Sequence, residues 1–360
     1  MHIEEIATQT HERVLFCTDE GSGLRSIVAV HDTTLGPALG GCRMWAYDSI
    51  QEAVSDALRL SAGMTAKAAL AGVPFGGGKA VILGDPRHDK TPEKLRAFGR
   101  FIDTLKGAYT TGEDVGMTPA DMAIVAQETA HVSGLDSGEF ASGDPSPVTA
   151  EGVFRCMKLA AAQAFGSGDL AGRTVAIQGL GHVGMSLAER VHTAGGSVVA
   201  ADVNRAATEQ AAQALGATIL PPQALLEAEA DILAPCALGG VLSRETIPTL
   251  RARIVCGAAN NQLAEPRCAE ALQDRGILYC PDFVVNAGGL ISVAREALRI
   301  RPDDWVETHL RAAVAGFQEL LQCAEEQHCP PLKVANDKVA EILATARHSA
   351  FDQSGRANEV

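Results

Sequence analysis

The chain has 360 residues, 46% of them hydrophobic and only 4% aromatic, a composition of folded proteins and a length sufficient for two domains. Lys and Arg number 30 against 44 Asp and Glu, a formal charge of −14, which argues against non-specific nucleic-acid binding and against anionic membrane surfaces; an anionic ligand must be held by a few local cations. The acidic start Met1-His2-Ile3-Glu4-Glu5 does not read as a signal peptide, no apolar run is long enough to cross a bilayer, and nine scattered cysteines without a Cys-x-x-Cys pair suggest neither a disulfide frame nor a metal site, so a reduced, cytoplasmic, metal-free protein is expected.

In chain order, Val14-Leu15-Phe16-Cys17 and residues 24–30 read as strands joined by a hairpin at residues 19–23. Gly36-Pro37-Ala38-Leu39-Gly40-Gly41-Cys42-Arg43-Met44-Trp45 is too rich in glycine for a regular element and too apolar for an exposed linker, so it should line something. From Ile50 to about Lys67 apolar residues recur at helical spacing, which puts Lys67 near a helix C-terminus, where a cation is favoured with or without a ligand. Gly76-Gly77-Gly78-Lys79 follows and opens a strand over residues 79–83. Three glycines strip the approach to Lys79 of side chains: either a ligand or another backbone lies against them, or the run is a flexible loop with a solvated lysine. A P-loop does not fit, because the first glycine would fall at Val73 and the hydroxyl position is Ala80.

A helix over about 92–105, β character at Tyr109-Thr110-Thr111 and the turn Gly112-Glu113-Asp114-Val115-Gly116 come next. A carboxylate pair at a strand end is either an acid–base group or a solvated turn. Pro119 opens another helix, and Ser142-Gly143-Asp144-Pro145-Ser146-Pro147 punctuates the chain strongly.

The second half begins with a helix over 148–165. The strand Thr174-Val175-Ala176-Ile177-Gln178 then runs into Gly179-Leu180-Gly181-His182-Val183-Gly184, a helix to about 193, and the strand Ser197-Val198-Val199-Ala200-Ala201 ending at Asp202. Gly-x-Gly-x-x-Gly between a strand and a helix, with an acid about 20 residues on, is the fingerprint of a dinucleotide site. Asp202 would accept hydrogen bonds from both ribose hydroxyls and repel a 2′-phosphate, which selects NAD; Asn204 and Arg205 leave a small opening for NADP. Later strands at 231–233, 253–256 and 277–279 are followed by turns that carry Cys236 and Ala237, Ala258, Asn260 and Asn261, and Asn286. In an open parallel sheet such turns gather at the carboxyl edge, where uncharged amides suit the carboxamide and ribose of a nicotinamide nucleotide or act as structural caps. Residues 305–349 read as helix broken at Cys329-Pro330-Pro331, and the last residues as disordered.

These segments, with Ala234-Pro235-Cys236-Ala237-Leu238-Gly239, Ala258-Ala259-Asn260-Asn261-Gln262 and Asn286-Ala287-Gly288-Gly289, resemble in content and order the amino acid dehydrogenase family that includes leucine, valine, phenylalanine and glutamate dehydrogenases. The leucine branch is the most similar. The resemblance implies an α/β fold of two domains separated by a cleft: an N-terminal α/β substrate and oligomerisation domain over 1–140, joined by a C-terminal helix over 330–360, and a doubly wound Rossmann-type NAD domain over 141–329. It implies reversible oxidative deamination of an L-amino acid to its 2-oxo acid and ammonia by a homo-oligomer. By match of motif, Lys67 would bind the substrate carboxylate, Lys79 would activate water and polarise the reacting carbon, Asp114 would shuttle protons to and from the amino group, and Asn261 would help fix the substrate. Lys79 has to be deprotonated for part of the cycle, so deamination should favour alkaline pH.

The glutamate-specific branch carries a lysine just before the Gly40-Gly41 pair; here Leu39 stands there, and a leucine cannot pair a buried carboxylate. Leu39, Gly40, Gly41, Leu290 and Val293 are the expected apolar pocket, for an aliphatic side chain. Gly112 stands where the leucine branch commonly has alanine, and the missing methyl would give room for phenylalanine or tryptophan, the rival substrates. A catalytically inactive NAD-binding sensor and a 2-hydroxy-acid dehydrogenase compete with this assignment. The intact set Lys67, Lys79 and Asp114 speaks against the first, and the absence of a clear histidine–carboxylate pair against the second.

Overall fold

The computed structural model describes residues 1–237, 239–301 and 304–357. It divides into two compact units: Met1–Pro145 with Leu290–His309 and residues from Val339 on, and Ser146–Gly289 with Leu310–Lys338.

In the first unit, β1 (His2–Glu5), β2 (Arg13–Asp19), β3 (Leu24–Asp32), β4 (Ala38–Leu39) and β5 (Cys42–Trp45) precede α1 (Ile50–Ala71); β6 (Gly76–Leu83), α2 (Pro92–Asp103), β7 (Tyr109–Thr110) and α3 (Pro119–Val125) follow. The sheet runs β1-β2-β3-β6-β4-β7, with β5 also paired to β6. The first three strands and β6 are antiparallel neighbours, whereas β4, β5 and β7 run parallel to their partners.

β6 is the axis of this unit. It starts at Gly76, three residues earlier than the sequence suggests, so the glycine run is buried strand and not a loop. Side chains alternate across a strand. On one face Ala80 and Ile82 pack with Leu95, Phe98, Phe101 and Ile102 of α2; on the other Val81 packs with Ala53 and Ala57 of α1. The buried small residues Ala53, Ala57, Ser61 and Thr65 recur every four positions and bring α1 close to the strand. A Cβ on Gly77 would lie 2.1 Å from Thr65 Oγ1 and 2.3 Å from the Ser61 carbonyl oxygen, and one on Gly78 would lie 2.5 Å from the Tyr109 ring. These glycines therefore admit neighbouring protein, not a ligand. The polar members of the stripe are satisfied on the far side, Ser61 Oγ by His11 Nε2 at 2.9 Å and Thr65 Oγ1 by His31 Nδ1 at 2.8 Å.

Gly63, in the middle of the same helix, has no atom within 4 Å of where a Cβ would be. Gly63→Ala is expected to stabilise the protein by about 0.5–1 kcal/mol, measured as a higher urea midpoint at unchanged slope.

The second unit opens with α4 (Ser146–Phe165) and alternates β8 (Thr174–Gln178), α5 (His182–Thr193), β9 (Ser197–Ala201), α6 (Arg205–Leu215), β10 (Thr218–Ile219), β11 (Ile232–Pro235), β12 (Ile254–Val255), α7 (Cys268–Asp274), β13 (Leu278–Tyr279) and α8 (Asp282–Val285). All six strands are parallel, in the order β10-β9-β8-β11-β12-β13. Numbered within the unit this is 3-2-1-4-5-6, the doubly wound Rossmann order, whose switch point lies between β8 and β11.

Three helices complete the chain: α9 (Gly288–Ala297), α10 (Trp305–Glu326) and α11 (Pro331–Ala357). Here the structure departs from the expected domain limits. The first division follows Pro145 instead of residue 140, Leu290–His309 belongs to the first unit, and α11 joins the first unit only from Val339. The reason is a buried clamp on α9. Glu296 accepts hydrogen bonds from the backbone N–H groups of Gly134 (2.8 Å), Leu135 (3.2 Å) and Ser142 (3.1 Å) and from Ser142 Oγ (2.6 Å), while Arg295 donates to the carbonyls of Phe140 and Ala141. α11 is helical to Ala357, past the point where disorder is expected to begin; residues 358–360 lie outside the described residues. Among the described residues no helix is long and apolar enough to cross a membrane.

Candidate active site

In the first unit the site grows from two successive parallel pairings along β6. Leu39 of β4 pairs with Gly77, and Cys42 of β5 pairs with Ala80, so Gly40-Gly41 passes beside Gly78-Lys79. A Cβ on Gly40 would lie 1.8 Å from the Gly78 carbonyl oxygen, and one on Gly41 would lie 2.4 Å from the Glu113 carbonyl oxygen and 3.0 Å from Asp114 Cβ. Glycine is required at both. The Tyr109 hydroxyl donates to the Gly40 carbonyl at 2.5 Å and fixes the pair from below.

The Gly112–Gly116 turn is pinned to β5, with Cys42 N–H donating to Gly112 O at 2.7 Å and Met44 N–H donating to Val115 O at 2.9 Å. It is therefore not a solvated turn. Between those two bonds Asp114 meets Lys79: Nζ is 2.6 Å from Oδ2, and the lysine side chain is only 7% exposed. The same oxygen lies 3.1 Å from Arg43 Nε. Burial alone would raise the affinity of Asp114 for a proton, but the charges of Lys79 and Arg43 and the lysine hydrogen bond outweigh it and bring the carboxyl down to about 2.

Behind this pair stands a network that sequence reasoning misses. Arg43 Nη1 donates to Asp56 Oδ2 at 2.9 Å, which also accepts the Tyr47 hydroxyl at 2.8 Å, and Arg59 Nη2 holds Asp56 Oδ1 at 2.8 Å. The only signal is the place of Arg43 two residues after the glycine pair. Ser133 is also missed: buried, it donates from N and Oγ to the Thr111 carbonyl, at 2.9 Å each, and closes the space beside Gly112. A Cβ on Gly112 would meet Ser133 Oγ at 3.2 Å and Ser133 O at 3.4 Å. Ser133 thus borders the space that the absent methyl leaves.

Three other expected substrate residues, Lys67, Leu290 and Val293, lie on helices of this unit, whereas Asn261 lies in the second unit. Lys67 is half-buried on α1, one turn beyond Met64, whose Cγ is 3.4 Å from the Cβ position of Gly40. Leu290 is buried and Val293 half-buried on α9, and Val293 stands one turn before Glu296, which holds Gly134 next to Ser133. Leu39 itself is 1% exposed.

In the second unit the three glycines after β8 have three different physical reasons. Gly179 has φ +95°, and a Cβ there would strike Ala237, 2.8 Å away; Gly184 packs its helix onto the Gly179 carbonyl, 2.0 Å from where a Cβ would be. A Cβ on Gly181 would meet nothing within 4 Å among the described residues, and Gly181 caps the N-terminus of α5 without a side chain, a helix end an anion can approach, with His182 and Val183 in the first turn. Asp202, at the carboxyl end of β9, accepts from Leu180 N–H at 2.5 Å and from Asn204 N–H at 2.7 Å, so it stands against the glycine turn. Cys236 N–H bonds Gln178 O at 2.7 Å across the switch point, and burial pushes its thiol up to about 12, which leaves Cys236 an inert wall.

At the same edge, Asn286 Nδ2 donates to Ala258 O (3.0 Å) and Asn260 Oδ1 (2.9 Å), whereas Asn286 Oδ1 is buried without a partner among the described residues. A buried acceptor without a donor costs about 1–3 kcal/mol unless a ligand supplies one, and a carboxamide N–H₂ is such a donor. Asn261 takes φ +53°; Asp282, a residue not foreseen, holds its N–H at 2.5 Å and the Tyr279 hydroxyl at 3.0 Å. The side-chain-free helix start at Gly181, the acid at the end of β9 and the orphaned Asn286 oxygen fit a nicotinamide dinucleotide.

A Rossmann unit with these features, in one chain with a unit carrying a buried lysine–carboxylate pair, defines a nicotinamide-dependent oxidoreductase. Residues 11–131 match the family described as "Glu/Leu/Phe/Val dehydrogenase, dimerisation domain" and residues 201–350 match "Glutamate/Leucine/Phenylalanine/Valine dehydrogenase". The chain belongs to this family and is an NAD-dependent amino acid dehydrogenase. Residues 150–240 also match "D-isomer specific 2-hydroxyacid dehydrogenase, NAD binding domain", a likeness confined to nucleotide-binding strands and helices. The chain is 46% identical to leucine dehydrogenase of Geobacillus stearothermophilus over 350 residues, 97% of this chain and 95% of that one. It is 47% identical to phenylalanine dehydrogenase of Lysinibacillus sphaericus over 291 residues, 79% of this chain and 76% of that one. Among solved structures, L-tryptophan dehydrogenase from Nostoc punctiforme superposes with a TM-score of 0.78 at 39% identity, covering 94% of this chain and 97% of that one.

Proposed function

We propose that the protein catalyses the reversible oxidative deamination of an apolar, aliphatic L-amino acid, leucine, valine or isoleucine, to its 2-oxo acid and ammonia. The observation that carries this reading is the buried Lys79–Asp114 pair at 2.6 Å, beside a buried Leu39 at the position where an acidic substrate would need a cation. Gly179, Gly181, His182, Val183, Gly184 and Asp202 would hold the pyrophosphate and ribose of NAD, and Cys236, Ala237, Ala258, Asn260 and Asn286 would flank its nicotinamide end, which would supply the acceptor for the hydride of the α-carbon.

The residues of the first unit handle the amino acid. Lys67 binds the α-carboxylate. Asp114, already ionised beside two cations, takes a proton from the substrate ammonium, and neutral Lys79 takes a proton from the water that adds to the imine carbon. Asp114 then returns its proton to the nitrogen of the resulting carbinolamine, the C–N bond breaks to release ammonia, and the hydroxyl proton passes to Asp114 as the carbonyl forms. Leu39, the Gly40-Gly41 backbone, Leu290 and Val293 receive the side chain, with Asn261 orienting the substrate. Ser133 beside Gly112 favours an aliphatic over an aromatic side chain. The acidic surface charge and the family suit a homo-oligomer in the cytoplasm.

NADH formation at alkaline pH with leucine, valine, phenylalanine, tryptophan and glutamate in parallel tests the reading. Leucine or valine should give the highest kcat/KM, and glutamate a value lower by about 10³ or more, because its carboxylate would be buried without a partner. A preference for phenylalanine or tryptophan would transfer the substrate assignment to the aromatic class and leave the chemistry in place. A reductive reaction independent of ammonia would overturn the chemistry.

A further inference from the structure

We propose that Arg43 is a positioning residue of the reaction: its permanent charge, aimed by Asp56, keeps the Asp114 carboxylate in place and ionised while Lys79 gives up its proton. The inference rests on the roles proposed above for Lys79 and Asp114. Its ground is geometric. Asp114 Oδ2 sits between two cations, Lys79 Nζ at 2.6 Å and Arg43 Nε at 3.1 Å, and Arg43 spends its other edge on Asp56, with Nη1 at 2.9 Å from Oδ2. Tyr47 and Arg59 in turn fix the Asp56 carboxylate. Arg43 and Asp114 are about one-fifth exposed and Asp56 less, so the charges are only weakly screened by water.

The chemistry of the pair explains the need. If Lys79 were the only cation beside Asp114, the carboxylate 2.6 Å away would be neutralised by the ammonium alone and would oppose the loss of its proton. A second cation that never deprotonates eases that loss, because the Asp114 carboxylate keeps the guanidinium beside it when the ammonium charge is gone. The proton then leaves the pair altogether, and Lys79 and Asp114 are both available as bases. The other titratable groups near Asp114 do not supply this charge: the Cys42 thiol on β5 and the Tyr109 hydroxyl on β7 are both held protonated by burial, as is Tyr47 by burial and by Asp56, and Glu113 next in the chain is a carboxyl group, which has no cationic form. Only the planar fork of arginine reaches Asp114 and Asp56 through two different nitrogens; a lysine offers one.

The test is the pH dependence of kcat/KM for deamination in wild type, Arg43→Gln, Arg43→Lys and Asp56→Asn, with circular dichroism and a melting curve for each. Removing the charge in Arg43→Gln should move the limb that requires the pair to lose a proton upward by about one pH unit or more. Arg43→Lys keeps the charge and should hold the limb near its wild-type position, while kcat falls by about ten- to hundredfold from lost orientation. Asp56→Asn should lower kcat without raising the limb. A folded Arg43→Gln enzyme whose limb coincides with wild type would overturn the proposal, leaving Arg43 a structural contact. If Arg43→Gln does not fold, Arg43→Lys decides, and a limb displaced by a full unit in that variant overturns it. Failure of the underlying site would look different: Lys79→Ala or Asp114→Asn would retain turnover.

Discussion

Lys79→Ala is expected to lower kcat for amino acid oxidation by about 10³–10⁴, the upper range for loss of a general acid–base group. NADH affinity should be unchanged, since the residues assigned to the dinucleotide all lie in the other unit. The same variant has a signature independent of turnover. In the wild type Asp114 titrates at about 2, below its ordinary value of 3.8, so its contribution to stability is complete above 3.8 and is lost as the pH falls through about 2. Without Lys79 the burial of Asp114 remains but its nearest cation is gone, and the carboxyl titrates higher. Acid unfolding of Lys79→Ala should therefore begin at a higher pH than in the wild type, followed by far-ultraviolet circular dichroism. Full turnover in the variant would remove Lys79 from the chemistry; unshifted acid unfolding would mean that the pair is not coupled in solution.

The second large effect is expected at a residue without a side chain. Gly77→Ala places a methyl 2.1 Å from Thr65 Oγ1, 2.3 Å from the Ser61 carbonyl oxygen and 2.3 Å from Thr65 N. Two of these three atoms belong to the backbone of α1, so relief requires the helix to lift off β6. The cost should be about 3 kcal/mol or more, at or above the usual range for overpacking. Activity should fall with stability, because β6 carries Lys79 and α1 carries Asp56 and Lys67. Urea denaturation of this variant beside Gly63→Ala makes an internal comparison: two glycine-to-alanine changes involving one helix, with opposite signs. A Gly77→Ala protein as stable as the wild type would show that α1 does not lie close on the strand.

The two units differ in how much of them can be read from the sequence. In the second, the strand before Gly179, the helix after it and the acid at 202 are local signals that fix a local geometry, and the Rossmann order follows from strand–helix alternation. In the first, the decisive contacts join distant parts of the chain. Arg43 meets Asp114 across 71 positions, and Glu296 meets Ser142 across 154. No spacing rule reaches that far. The run Gly76-Gly77-Gly78 reads as room for a ligand or as a loop because a sequence shows that a side chain is missing without showing what fills its place; α1 and Tyr109 fill it. What borders Gly112 is hidden for the same reason, its neighbour Ser133 being invisible until the strand and the following loop are paired. The start of α9 reads as a turn, since Gly288 and Gly289 are poor helix formers; Val148 and Thr149 crowd the Cβ position of Gly288, and tertiary packing overrides the local preference.

The clamp on α9 has a bearing on how the protein comes into being. Glu296 satisfies three backbone amides of the 134–142 segment, yet the ribosome delivers it 154 residues after Ser142, on the order of 10–30 s later. By then the nucleotide-binding sheet, complete at Tyr279, has already been translated. The N-terminal unit is thus the first to be translated and the last to be finished, and a nascent chain arrested before α9 should be cut by proteases within residues 134–142 while its central β-sheet region is protected.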